Sequence, residues 1–307
     1  MTKVFGHKSP DTDATCSAII WAWYLNEHTS SDATPYVLGD LNTETEFVLN
    51  HWNMTTPDLL ETLNEGDEVV VVDTNNPQEL PENINEANVV QIIDHHKLVG
   101  GIETAGPVDI TMRPLACTAT VLHDLMGETA VAALPREIAG LMLSCILSDT
   151  LEFRSPTTTP HDKDVAEKLA TTLEVDLSQY ASQMFAAKSD VSEFSDIGLV
   201  KMDSKKYDIG GTNFRISVLE TTTPETVLSR KEGLITAIGE CIAEENDVDE
   251  VLLFVIDILK EEATVLTYND LAKKVIEASF GVTVEGDTEV LPGIVSRKKQ
   301  ILPALKL

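Results

Sequence analysis

Residues 69–72 are four consecutive valines followed at once by Asp73, and no other feature limits the fold as much. A branched Cβ on every residue suits a strand better than a helix. Apolar side chains on both sides of the pleat require cover on both faces, the situation of a strand inside a parallel sheet. The first half of the chain repeats the theme: residues 3–6, 35–38 and 89–93 read as further strands. Helix-period stretches fall between them. Residues 13–28 carry Ile19, Ile20, Trp23 and Leu25, residues 43–50 form a shorter stretch, and 135–147 place Ile138, Leu141, Met142 and Ile146 on one face behind Pro135. Helices are expected again at 162–173 and 177–187. The fold class is therefore α/β: an N-terminal parallel-sheet domain with helices on both faces.

The polar stretch 188–193 breaks the periodicity, so domains are expected at 1–188 and 194–307 with a flexible linker at 189–193. Beyond it, 213–219 alternates as a strand and 224–245 reads as one long amphipathic helix. Residues 251–259, 263–267 and 283–290 read as strands, with a helix over 270–280, giving a smaller C-terminal mixed α/β domain. A chain of 307 residues with 43% hydrophobic content can bury two such cores.

No window approaches the run of about 18 apolar residues needed to cross a bilayer, and the N-terminus opens as a strand without a basic leader. A soluble, cytoplasmic chain with no membrane partner is expected. Cys16, Cys117, Cys145 and Cys241 lie far apart without CxxC spacing, so neither disulfides nor a thiolate metal site is expected. With 22 basic and 51 acidic residues the net charge is −29, which repels a nucleic-acid backbone and disfavours such a partner.

The chemistry-bearing residues gather at strand ends. His7, Asp11 and Asp13 occupy the turn after the first strand, Asp73 follows the valine run, and Asp94, His95 and His96 follow the strand at 89–93. Taken singly, an Asp after a strand is more often a helix cap or turn former. Taken together, acids and imidazoles at the carboxyl ends of successive strands point to ligand binding. Asp149, after the helix at 135–147, joins them. Two or three imidazoles, four or five carboxylates and no sulfur suit a borderline-hard divalent ion, Mn²⁺ or Co²⁺, with Mg²⁺ and Zn²⁺ as alternatives. The set exceeds what one ion needs. Two ions about 3.5–4 Å apart, bridged by a central carboxylate such as Asp73, would hold a hydroxide for in-line attack on phosphorus.

The segments GHKSPDTD (6–13), VVVVDTNN (69–76), DHH (94–96), SDT (148–150) with RSPTTT (154–159), DSKKY (203–207), ET (220–221) and SRKKQ (296–300) resemble those of the DHH phosphoesterases. More narrowly, they are similar to the family II, manganese-dependent inorganic pyrophosphatases. The resemblance runs over nearly the whole chain and implies hydrolysis of pyrophosphate to two orthophosphates at a domain interface. It implies two Mn²⁺ per subunit, with Co²⁺ or Mg²⁺ as substitutes and additional Mg²⁺ arriving with substrate. His7, Asp11 and Asp73 would hold one ion, and Asp13, Asp73, His95 and Asp149 the other. Asp94 would support the site by hydrogen bonding, His96 would touch the substrate and assist the leaving phosphate, and Lys205, Arg297 and Lys298 would clamp phosphate. A homodimer through the N-terminal domain is also implied. The clamp has a physical reason of its own, since an anion entering a chain of charge −29 needs local cations, and arginine's planar fork can hold two oxygens at once.

Ser229-Arg230-Lys231 repeats the letters of Ser296-Arg297-Lys298, but is expected to lie within an amphipathic helix as a solvated face. His28, His51, His123 and His161 match no ligand position and are given structural roles. Lys206 competes with Lys205 by charge, and only motif register favours the latter. The Gly-x-Gly-Gln strand common in that family is replaced here by residues 215–219. The alternatives are another DHH phosphoesterase, acting on polyphosphate, short oligonucleotides or cyclic dinucleotides, and a metal-dependent sensor without turnover.

Overall fold

The computed structural model describes the whole chain except Glu193 and Asn246, and the side chains of Lys298 and Lys299. The last residue of the expected linker and the side chain of Lys298 thus lie outside the described residues. The chain forms two compact units, Met1–Ala187 and Lys188–Leu307.

The first unit is a six-stranded sheet, all parallel: β1 (Thr2–Phe5), β2 (Ala33–Val37), β3 (Asp58–Leu59), β4 (Glu68–Val72), β5 (Asn88–Asp94) and β6 (Asp109–Met112), in spatial order β3-β2-β1-β4-β5-β6. The helices are α1 (Thr12–His28), α2 (Thr43–His51), α3 (Thr118–Ala132), α4 (Arg136–Thr150), α5 (Pro160–Leu173) and α6 (Leu177–Lys188). The valine run behaves as its chemistry requires, with all four residues at 0–2% exposure. Val70 and Val72 join the large core under α1, α3 and α4. Val69 and Val71 join a smaller core on the opposite face with Phe5, Leu60, Leu63, Leu80 and Ile84, partly contributed by two short helical turns at Pro77–Glu79 and Ile84–Glu86. The strand pleat thus divides one run between two cores.

Helix packing in this unit depends on a missing side chain. A Cβ at Gly140 on α4 would lie 2.1 Å from the Trp52 ring. That ring's Nε1 donates to Tyr180 Oη (2.7 Å) and Ser144 Oγ (3.1 Å), joining the residue after α2 to α4 and α6. Helix α3 and strand β6 were not foreseen from periodicity. α3 contains Gly127 at φ 72, which interrupts its apolar pattern.

The second unit has α7 (Asp196–Lys201), β7 (Ser204–Ile209), β8 (Thr212–Thr221), α8 (Pro224–Leu228), α9 (Lys231–Glu244), β9 (Glu250–Asp257), β10 (Glu262–Leu266), α10 (Asp270–Phe280) and β11 (Thr288–Pro292). Its sheet runs β11-β10-β9-β8-β7, with β8 and β9 parallel and the other pairs antiparallel. β9 is central and buried along its whole length. Phe214, Ile216, Phe254 and Ile256 face a core that includes α10, while Val251, Leu253 and Val255 face α7 and α9.

Three expectations are corrected. The stretch 224–245 is two helices, because Arg230 lies at the break and its guanidinium donates to Asp196 Oδ1 and to the carbonyls of Val191 and Phe194. The last strand starts at Thr288 and not at 283, after α10 ends on Gly281 at φ 69. The polar stretch after Lys188 belongs to the second unit, where Ser189 is buried, shares a hydrogen bond with Thr222 Oγ1 (2.7 Å) and accepts at its carbonyl from Thr226 Oγ1 (3.1 Å).

Two stability predictions follow from these contacts. Gly140→Ala should destabilise the chain by about 1–3 kcal/mol, since the added methyl overlaps an indole fixed by two hydrogen bonds. An unchanged urea midpoint would contradict this. Arg215 and then Lys206 hold the Glu245 carboxylate down at about 2. Its contribution is therefore full above the ordinary value of 4.5 and is lost as pH falls through about 2. Glu245→Gln should lower the urea midpoint at pH 7, and the gap from the parent should narrow as pH is lowered below 4.5.

Candidate metal centre

In the first sheet the chain leaves β1 toward β2 and β3, then returns to the other side of β1 as β4. This reversal leaves a crevice beyond the carboxyl ends of β1 and β4, where open α/β sheets bind ligands. His7 follows β1, Asp73 follows β4, and Asp94, His95 and His96 close β5 or follow it. Asp11 is the N-cap of α1, and Asp13 sits in that helix's first turn. α4 continues to Thr150, so Asp149 lies in its last turn and not beyond it.

All eight of these strand-end and helix-end candidates converge. His7 Nε2 lies 3.6 Å from Asp11 Oδ2 and 3.5 Å from Asp73 Oδ2. His95 Nε2 lies 3.3 Å from Asp73 Oδ1 and 3.9 Å from Asp149 Oδ2. The two oxygens of Asp73 thus face different imidazoles. Three overlapping groups have the spacing to hold an ion: His7, Asp11 and Asp73; Asp13, His95 and Asp149; and Asp73, His95 and His96. The cap and ligand readings of Asp11 are compatible, because Oδ1 accepts from the Ala14 amide (2.9 Å) while Oδ2 faces His7.

The backbone and neighbouring groups hold these side chains in place. Asp73 has φ 61, a left-handed conformation that Asp tolerates better than most residues. Its amide donates to Ile93 O (2.9 Å), and its Oδ1 accepts from Thr118 Oγ1 (3.0 Å). Asp13 is fully buried and accepts from the amides of Thr118 (2.6 Å) and Ala119 (3.2 Å) and from Ser17 Oγ (2.9 Å). α3 begins at Thr118 with no capping side chain, so its free N–H groups stabilise a carboxylate instead. His95 Nδ1 lies 3.1 Å from Leu115 O; a carbonyl only accepts, so that nitrogen carries the proton and Nε2 is left for the crevice. Asp94, wholly buried, accepts at Oδ1 from the His95 and His96 amides and from His96 Nδ1 (3.0 Å), and at Oδ2 from Asn75 Nδ2 (2.5 Å).

The charges are mutually dependent. Burial would lower the His7 and His95 imidazoles, but Asp11 and Asp73 raise the first to about 10, and Asp73 and Asp13 raise the second to about 9. Against burial, His7 and His95 keep Asp73 well below the usual carboxylate range. Burial, then the charge of Asp73, pushes Asp13 up to about 6; burial and the surrounding aspartates push Asp149 well up. A carboxylate cluster that retains protons on its histidines as counterions is one in which a divalent cation can take their place. The donor chemistry, imidazole nitrogen and carboxylate oxygen without sulfur, fits Mn²⁺.

The chain matches the DHH family, N-terminal domain, over residues 2–146 and the DHHA2 domain over residues 182–307. It is 39% identical over 303 residues to the manganese-dependent inorganic pyrophosphatase of Bacillus subtilis, covering 98% of this chain and 96% of that one. The chain belongs to the family II, manganese-dependent inorganic pyrophosphatases. A Bacillus velezensis relative named a probable member is 40% identical over the same shares of the two chains. A Methanococcus jannaschii protein assigned to the family II inorganic pyrophosphatases has a crystal structure that superposes with a TM-score of 0.64 at 35% identity, covering 99% of this chain and 98% of that one. An exopolyphosphatase-related protein from Bacteroides fragilis shares the fold alone, at 11% identity and a TM-score of 0.50 over 98% and 89% of the two chains.

Two residues that hold the site, Asn75 on Asp94 and Thr118 on Asp73, were not singled out from the sequence. Asn75 was quoted within a motif but given no task, and Thr118 begins a helix that periodicity did not reveal. In the second unit, Lys205 and Arg297 line one cavity of about 510 Å³ together with Asp203, Tyr207, Glu220 and Ser296. Alternation along β7 turns Lys206 away, to Glu245 Oε2 (2.8 Å) and Asp247 Oδ1 (2.6 Å). Arg297 donates to the carbonyl (2.7 Å) and Oδ1 (2.8 Å) of Asp203. Arg230 of the repeated letters is taken up by its helix-break contacts, a structural role.

Because the ligand nitrogens of His7 and His95 hold protons at neutral pH in the metal-free chain, Mn²⁺ binding should release protons. Apparent affinity should rise as pH rises from 7 toward 9. Calorimetry in two buffers of different ionisation enthalpy measures this, and binding without net proton release at pH 7 would contradict it.

Proposed function

We propose that the chain hydrolyses inorganic pyrophosphate to two orthophosphates. In this reading His7, Asp11 and Asp73 hold one manganese ion, and Asp13, Asp73, His95 and Asp149 hold a second, with Asp73 common to both. The observation that supports it most is the placement of Asp73, whose two oxygens lie 3.5 Å and 3.3 Å from the imidazoles of His7 and His95. The names of full-length relatives at about 40% identity supply the substrate. When bound, two such ions supply Lewis-acid charge and bring the pKa of a water down toward neutrality.

The protein's own groups do the rest. The hydrogen bond from His96 Nδ1 to Asp94 raises the imidazole above its ordinary value and leaves Nε2 to serve the leaving phosphate as a proton donor. His96 is half exposed and lines a cavity of about 530 Å³ with His7, Lys8, Asn75 and Lys97, which suits contact with a small anion. Lys205, Arg297 and Lys298 clamp phosphate, and Asp203 keeps the Arg297 fork in place; Lys206 takes no part. Magnesium enters with the substrate as its counterion, and Co²⁺ or Mg²⁺ can replace manganese. The chain works in the cytoplasm as a homodimer through its first unit, where the edge strand β6 presents Ile110 to solvent.

Phosphate release from pyrophosphate, polyphosphate and a dinucleotide after Mn²⁺ loading tests the substrate, and no release from pyrophosphate would overturn the reading. Asp73→Ala should weaken manganese binding by about 100-fold or more and abolish manganese-dependent turnover. Arg297→Ala should lower kcat/KM by about 10–100-fold, the worth of one or two charged hydrogen bonds, with manganese affinity unchanged. Parent-like metal affinity in Asp73→Ala would remove the shared-ligand role.

A further inference from the structure

His123, Asp124 and His161 were assigned structural roles or none from sequence, yet α3 and the first turn of α5 bring them together. Asp124 Oδ1 lies 3.4 Å from His123 Nδ1 and 2.8 Å from His161 Nε2, and the candidate ligand atoms of all three fall within 4.8 Å of one another. We propose that these three residues form a further metal site, separate from the centre at the sheet edge, for a borderline divalent ion such as Zn²⁺.

Two imidazole nitrogens and one carboxylate oxygen are the donors such ions select, and no histidine of this set serves the centre described above. Ligands about 2.0–2.2 Å from a tetrahedral ion stand about 3.3 Å apart. The two separations to Asp124, 3.4 Å and 2.8 Å, bracket that value. The three side chains are 20%, 26% and 45% exposed, open to an ion yet partly shielded. His123 and Asp124 also line a cavity of about 480 Å³ with Glu128, Lys168 and Thr172, which leaves room for water to complete the coordination.

The competing account is a plain surface hydrogen bond from His161 to Asp124, which needs no ion. The two differ in what the ion would do. A zinc ion here staples α3 to α5, adding to the bond by which the amide of Ala116, two residues before α3, donates to Asp162 of the α5 capping box (3.1 Å). Its effect is stability of the first unit, with no part in turnover.

The test uses the full chain loaded with Mn²⁺ and equilibrated with micromolar zinc chloride, with bound zinc counted per chain. The parent should hold one more Zn²⁺ than His123→Ala or His161→Gln, and the variants' affinity for that ion should fall at least about tenfold. His161→Gln keeps a hydrogen-bond donor toward Asp124, which separates loss of a ligand from loss of the hydrogen bond. Zinc that exchanges into the manganese centre is common to all three proteins and cancels in the difference. Zinc should raise the parent's Tm by about 2 °C or more beyond its effect on the variants. Without zinc, the variants should keep the parent's manganese-dependent activity. Equal zinc content and affinity in parent and variants would overturn the proposal.

Discussion

Bringing four aspartates to one partly buried place is unfavourable unless positive charge comes with them, and the first unit is organised around that requirement. Asp73 is 1% exposed, held in a left-handed backbone conformation, and set between two imidazoles. That burial does not suit an isolated carboxylate, whose charge would be poorly solvated. In the metal-free chain, protons on His7 and His95 supply the compensation. Divalent ions would supply more of it, and would place it where charge develops when a phosphoanhydride is attacked.

The sheet makes this arrangement available. Because the strand order reverses beside β1, the loops after β1 and β4 open onto the same crevice, and β5 adds its own end next to them. The valine run of β4 anchors Asp73 from both faces, with alternate residues locked into separate cores. The start of α3 contributes unpaired amides to Asp13 and a hydroxyl to Asp73. A rigid sheet and a helix terminus therefore hold the acids at fixed separations. The second unit contributes a different kind of group: Lys205 and Arg297 in one cavity, with Asp203 holding the guanidinium.

Much of this was legible in the sequence because it rests on local rules. The four valines could only be a doubly buried strand, and an acid directly after such a strand stands at a sheet edge whatever the remaining topology. The helix expected at 270–280 has those bounds in the structure, where Gly281 closes it. What escaped depended on contacts distant in sequence. Arg230 breaks a helix because carbonyls at 191 and 194 and a carboxylate at 196 wait for it, and no feature of 224–245 announces that. Thr118 was invisible because Gly127 disturbs the period of its helix. Lys206 and Lys205 have equal charge, and only pairing of β7 with β8 tells which face each takes. His123 and His161, 38 positions apart, acquire a shared carboxylate only once α3 and α5 pack.

In the proposed reading one buried carboxylate, Asp73, serves two ions at once. Electron paramagnetic resonance of the chain loaded with manganese, taken with a metal count, addresses it directly. Two Mn²⁺ per chain are expected at the sheet-edge centre, with the exchange-coupled spectrum of ions that share a ligand. A single ion per chain, or two with independent spectra, would contradict it.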